Sequence, residues 1–161
     1  MKTAVYTGSF DPITLGHLSV IERSSRLVDQ LVIGIGVNIE KTGLFKSDER
    51  LDLVRRVTAH LDNVQVETFE GLAVNFVKKC DAKVMIRGVR PLTDIAAEFT
   101  MMMANRALND ELETVFLMAD GEYAHVSSSL IKQVTPLATD EQLARFVPSE
   151  IIPDLRKKLT P

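Results

Sequence analysis

The sequence predicts an α/β protein, a single domain over 1–161 built on a doubly wound, five-stranded parallel sheet. Three observations predict it. Short apolar runs alternate with segments of helical period along the chain. The run over 31–37 is almost continuously apolar, as in a strand buried on both faces. The distinctive polar motifs all follow predicted strands, so in a parallel sheet they gather on one rim. A length of 161 residues suits one compact domain with a sizeable core.

The first strand is expected over 3–6. A helical pattern then runs from 13 towards 27, with Leu18, Ile21, Leu27 and Val28 on one broad face. After the strand at 31–37, Ser47 is the expected N-cap of a helix carrying Leu51, Val54, Val57 and Leu61, with Asp48 and Glu49 at its positive end. Val64 and Val66 alternate with Gln65 and Glu67 as a third strand. A short helix is expected over 72–79 and a fourth strand over 84–86, with the Arg87-Gly88-Val89-Arg90 segment just beyond it. Thr93 is the expected cap of a long helix reaching Leu108. A fifth strand covers 115–118, and Ser127 or Ser128 opens another helix. The tail over 140–159 has a helical pattern interrupted by Pro148 and Pro153. Crossovers should be right-handed.

Composition narrows the function. A net charge of −3 argues against a nucleic-acid partner, which usually leaves a basic stripe. No apolar run approaches the roughly 20 residues of a membrane span, and Ala4 and Val5 lead straight into Tyr6, Thr7 and Gly8 with no signal-peptide core. The single cysteine, Cys80, excludes an intramolecular disulfide and fits a reducing, cytoplasmic setting. It reads as a small buried apolar residue.

The stretch YTGSFDPITLGH (6–17) has the pattern of a strand, a turn and a helix start. Gly8 lets the backbone approach a ligand, Pro12 stiffens the turn, and Thr14 can cap the helix from which His17 projects. Free N–H groups there suit an anion. A neutral His17 donating one N–H fits a helix start, and a cationic one would also stabilise phosphoryl charge. Lys41 follows the second strand, either as a point charge for a phosphate or as a solvated loop lysine. Arg87 and Arg90 suit bidentate phosphate capture or surface pairing with carboxylates. Glu98 could orient one of these arginines, bind a ribose hydroxyl or stay solvated. Ser127, Ser128 and Ser129 form either a second anion cradle or a simple N-cap. Lys41-Thr42 is not a P-loop, because Ile35 and Glu40 stand where that pattern needs glycine. HExxH, paired-cysteine and GxSxG patterns are absent, and no carboxylate cluster marks a metal site. The methionines at 101–103 read as helix packing or a subunit contact.

Thr14-Leu15-Gly16-His17 resembles the T/H-x-G-H motif of the nucleotidyltransferase superfamily, and Val126 to Lys132 (VSSSLIK) resembles its ISSSxIR-like motif. The GSFDPITLGH start, Lys41 before Phe45, IRGVR, Glu98, Asn105 to Leu108 (NRAL) and ELETVFLM look like the bacterial phosphopantetheine adenylyltransferase family, over almost the whole chain. Thr7 stands where that family often has proline, and Ser9 where it often has threonine. Ser9 keeps the hydroxyl. The resemblance implies a Rossmann-like nucleotidyltransferase fold. It also implies reversible transfer of an adenylyl group from ATP to 4′-phosphopantetheine, giving dephospho-coenzyme A and pyrophosphate. By the same resemblance, His17 and Lys41 are catalytic. Ser9, Phe10, His17, Gly88, Val89, Arg90, Glu98, Tyr123, Ala124, His125, Val126, Ser127, Ser128 and Ser129 contact ATP. Ser9, Lys41, Ala73 and Arg87 contact the phosphopantetheine. Mg²⁺ is expected to arrive with ATP, coenzyme A to act as feedback inhibitor, and the chain to form a homohexamer.

Overall fold

The apolar runs of the central strands become strands because each can bury both faces between layers of helix, whereas the edge strands are partly exposed. In the computed structural model, which describes residues 2–37, 42–90 and 94–160, the strands are β1 (Thr3–Gly8), β2 (Gln30–Val37), β3 (Val64–Glu70), β4 (Val84–Val89) and β5 (Glu113–Met118). Between them lie α1 (Leu15–Ser25), α2 (Ser47–Thr58), α3 (Ala73–Lys79) and α4 (Ile95–Leu108). After β5 come a 3-10 turn (Gly121–Tyr123), α5 (Ser128–Val134), α6 (Asp140–Leu143), a second 3-10 turn (Ser149–Ile151) and α7 (Ile152–Leu159). The strands pair in parallel in the order β3-β2-β1-β4-β5. This is the expected α/β architecture. The chain works outward from β1 to β3, then returns to the other side of β1 as β4. The switch in strand order therefore lies between β1 and β4.

Alternate residues of each strand feed two cores. Tyr6, Ile33, Ile35 and Ile86 pack with Ile21, Val54, Val57, Ile131 and Leu155. Val5, Val32 and Met85 pack with Val74, Phe76, Val77 and Leu112 on the opposite face. The carboxy-terminal residues Leu143, Val147, Ile151 and Leu155 belong to the first core. In β2 the α3 layer comes so close that a Cβ on Gly34 would sit 2.4 Å from the Phe76 ring.

Several boundaries differ from the sequence expectation. β1 and β4 run past Tyr6 and Ile86, because ladder pairing continues to Gly8 opposite Ile35 and Val89 opposite Met118. Ser47 is not the cap of α2 but its first residue. Lys46 takes the cap position, and its backbone N–H donates to the Glu49 carboxylate at 2.8 Å. α2 ends at Thr58, so Leu61 packs on the core from the following turn. α1 ends at Ser25, leaving Leu27 exposed. Thr93 lies outside the described residues, and Asp94 occupies the cap position of α4. Pro153 opens α7 rather than interrupting a helix, since a first-turn residue needs no N–H. Among the described residues, no helix is long and apolar enough to cross a membrane.

Candidate active site

A cavity of about 350 Å³ opens between the carboxyl ends of β1 and β4, at the switch in strand order. Three of the four motifs expected on one rim line it: the segment over 8–17, the arginine segment, most of which forms the carboxyl end of β4 rather than following it, and the serine-rich start of α5. The fourth, Lys41, lies outside the described residues.

On the α1 side, Thr14 is the N-cap and His17 the third helical residue. The His17 backbone N–H donates to Thr14 Oγ1 at 3.3 Å. In return the Thr14 backbone N–H donates to His17 Nδ1 at 3.1 Å, and Thr14 Oγ1 lies 3.1 Å from the same nitrogen. This is a capping box with histidine in the position usually held by glutamate. Because Nδ1 accepts a backbone N–H, the proton sits on Nε2. Burial, with the nearby positive charges of Arg90 and Arg87, pushes the His17 pKa down to about 4. The ring is therefore neutral near pH 7, and the choice left by the sequence falls to the neutral donor.

On the β4 side the polar groups are ions. Arg87 donates through Nε and Nη2 to both oxygens of Glu98, at 2.7 and 2.6 Å, and its Nη1 reaches the Thr7 carbonyl and hydroxyl. Arg90 donates through Nε and Nη2 to both oxygens of Asp94, each at 2.8 Å. Both carboxylates belong to the start of α4. Between the arginines, a Cβ on Gly88 would come within 3.0 Å of Val20 and 3.2 Å of the Tyr6 hydroxyl, so a side chain here fits only if those neighbours shift. Burial pushes the Tyr6 phenol up to about 12, so it keeps its proton.

The serine triplet divides its labour. Ser127 caps α5 by accepting the Leu130 N–H at 3.1 Å, Ser128 Oγ donates to the Pro12 carbonyl at 2.8 Å, and Ser129 lines the cavity. Ser9, Gly88, Glu98, Tyr123 and Val126 also line it. Phe10 is buried behind His17, its ring centroid 5.1 Å away. Val89, Ala73, Ala124 and His125 are not among the lining residues. Val89 is buried, Ala73 begins α3, and His125 packs edge-on against Phe146.

Sequence reasoning missed two residues that hold this rim together. The Asp11 carboxylate accepts the Leu44 and Phe45 N–H groups, both at 2.8 Å, and the Lys132 ammonium at 3.0 Å. Burial pushes its carboxyl up, but those N–H groups and Lys132 outweigh it and hold the pKa below the ordinary value. Arg50 donates to the Ser9 carbonyl at 2.8 Å and the Gly36 carbonyl at 3.1 Å. A signal existed for Arg50: it shares helical spacing with Val54 and Val57, which puts an arginine on the buried stripe of α2.

The sequence and the fold match those of known proteins. The cytidylyltransferase-like family model matches residues 5–134. A phosphopantetheine adenylyltransferase from Rhodopirellula baltica is 63% identical over 157 residues, which is 97% of this chain and 88% of that protein. One from Clostridium botulinum is 46% identical over 159 residues, 99% of this chain and 96% of that protein. A Plasmodium falciparum nicotinic acid mononucleotide adenylyltransferase, solved with NaAD, shares the fold. Its TM-score is 0.70 at 13% identity, covering 98% of this chain and 96% of that one. The chain belongs to the cytidylyltransferase-like family, among the phosphopantetheine adenylyltransferases.

Proposed function

We propose that this chain transfers the adenylyl group of ATP to 4′-phosphopantetheine, forming dephospho-coenzyme A and pyrophosphate in the penultimate step of coenzyme A biosynthesis. The observation that carries the acceptor's identity is the 63% identity to a phosphopantetheine adenylyltransferase over 97% of the chain. The acceptor's phosphate is already a competent nucleophile, so the reaction needs no covalent enzyme intermediate. It attacks the α-phosphorus in line with the departing pyrophosphate. Two anions meet, so orientation and charge neutralisation are the main tasks of the protein.

The neutral His17 gives its Nε2–H to an α-phosphoryl oxygen as charge develops there, and Lys41 neutralises the same group and the incoming phosphate. Arg90 and the start of α5 hold the β- and γ-phosphates, while Ser9, Arg87 and Ala73 receive the acceptor. Nucleotidyl transfer is metal-assisted. Among the described residues no group of three or more potential ligands could hold a metal ion, and Asp94 and Glu98 are engaged by arginines. Mg²⁺ would arrive on the phosphates of ATP, where it would screen their charge.

The exposed apolar side chains of α4 and β5, among them Ile95, Phe99, Met101, Met103 and Met118, support assembly of copies of the chain. The family resemblance makes that assembly a homohexamer and coenzyme A a feedback inhibitor. The unpaired Cys80 supports a cytoplasmic setting. The deciding experiment follows pyrophosphate release from ATP with 4′-phosphopantetheine, nicotinate mononucleotide or glycerol phosphate, and repeats it with CTP. Turnover is expected with ATP and 4′-phosphopantetheine alone. Preference for another acceptor, or binding of both substrates without turnover, overturns the assignment.

A further inference from the structure

Arg50 lies on the buried stripe of α2 with Leu53, Val54 and Val57 and is 9% exposed. Its Nη1 spans two strand ends, donating to the carbonyl of Ser9 just past β1 and of Gly36 near the end of β2. Its Nε is buried with no hydrogen-bond partner. Among the described residues it forms no ion pair, whereas the other cations around this rim each have a carboxylate: Arg87 has Glu98, Arg90 has Asp94 and Lys132 has Asp11. A buried charge left unpaired is destabilising. Two carbonyl dipoles offset part of that cost, but a neutral donor would brace two carbonyls without it. The surplus positive charge is what a brace alone leaves unexplained.

We propose that Arg50 is a positioning residue for the phosphate of the acceptor substrate. It fixes the Ser9 backbone across the ends of β1 and β2 and places beneath it an uncompensated positive charge that an arriving phosphomonoester dianion neutralises. The inference rests on the adenylyltransferase reading, in which Ser9 faces the acceptor. Arg50 acts through Ser9 and through space, on the β2 side of the cavity. The triphosphate is assigned to Arg90 and the start of α5, neither of which Arg50 hydrogen-bonds, so the two substrates should respond differently to its loss.

The test uses the whole chain with Arg50→Met and Arg50→Lys. Pyrophosphate release gives KM for each substrate, and calorimetry gives Kd for 4′-phosphopantetheine and for pantetheine, which lacks the phosphate. Arg50→Met should weaken 4′-phosphopantetheine about tenfold in KM and Kd and change ATP and pantetheine by less than about twofold. Arg50→Lys, which keeps the charge, should recover most of the loss. Equal weakening of ATP, or of pantetheine, makes Arg50 a structural brace and overturns the inference. If Arg50→Met does not fold, the lysine variant decides: near-normal Kd for 4′-phosphopantetheine supports the inference, and a tenfold loss overturns it. A wild-type chain that does not turn over 4′-phosphopantetheine defeats the functional reading itself. Normal wild-type turnover with unchanged constants in Arg50→Met defeats only the role of Arg50.

Discussion

The two walls of the cavity handle polarity in opposite ways. On the α1 wall, His17 is half-buried, neutral and held by a backbone N–H and a threonine hydroxyl of its own helix cap. On the β4 wall, Arg87 and Arg90 are fully charged and held by Glu98 and Asp94 of one neighbouring helix. The first wall is finished before any ligand arrives, because nothing has to move for the Nε2–H to be presented. The second is occupied by internal anions, and a ligand phosphate gains those arginines only in competition with carboxylates. Orientation is built into one wall and exchange into the other.

The largest expected effect tests the finished wall. His17→Ala should lower kcat about a hundredfold or more, on the order of 2.7–4 kcal/mol of transition-state stabilisation. Circular dichroism should stay unchanged, and a near-normal kcat would remove the catalytic distinction between the walls. Next comes the exchangeable wall. Arg90→Ala should raise the KM for ATP about tenfold or more, as loss of a charged hydrogen bond implies, and Arg87→Ala should do the same for the acceptor. A kcat defect with unchanged KM would show that these arginines are not the exchangeable ligands.

Acid separates the walls further. In the unfolded chain His17 titrates near about 6.5, whereas in the fold its pKa is about 4. Between those values the unfolded state binds more protons. The contribution is fully present above about pH 6.5 and drains as pH falls towards 4. Denaturant titrations in that window should show the loss, and His17→Ala should flatten it. The pH profile of kcat/KM should show no inflection near 6.5 from this residue, and one that disappears in His17→Ala would mean that the imidazole is not held neutral.

Smaller effects sharpen the picture. Thr14→Val removes the capping hydroxyl at a cost of about 1 kcal/mol in stability. It leaves the Thr14 N–H on Nδ1, so kcat should fall far less than in His17→Ala. The smallest change is expected for Thr7→Val, about 0.5–1.5 kcal/mol at most, because Arg87 keeps the Thr7 carbonyl and both Glu98 oxygens. Thermal unfolding measures both.

The sheet was legible in the sequence because parallel strands announce themselves by apolar runs and helices by their period, both local signals. The rim was legible because His17, Arg90 and the serines follow strands and Arg87 lies at the carboxyl end of one. Partners were not. Asp11 and Lys132 are far apart in sequence, and no spacing rule relates them. Ser47 was misplaced as a cap because propensity cannot see that Glu49 already satisfies the Lys46 N–H. Glu98 was left with three possible roles, and only the approach of α4 to β4 selects its pairing with Arg87. Arg50 was hidden by its own chemistry, since a charged residue on a helix is ordinarily read as solvated.

The tie between Asp11 and Lys132, with Ser128 on the Pro12 carbonyl and the Leu15 N–H on the Phe146 carbonyl, has a consequence for synthesis. The first motif leaves the ribosome more than 110 residues before any of these partners. A nascent chain that stops before α5 has all five strands, β1 to β5, available but cannot finish the turn that carries its histidine. The cradle closes only once α5 and Phe146 have been made, so nucleotide can stabilise this segment only after residues 128–146 have emerged.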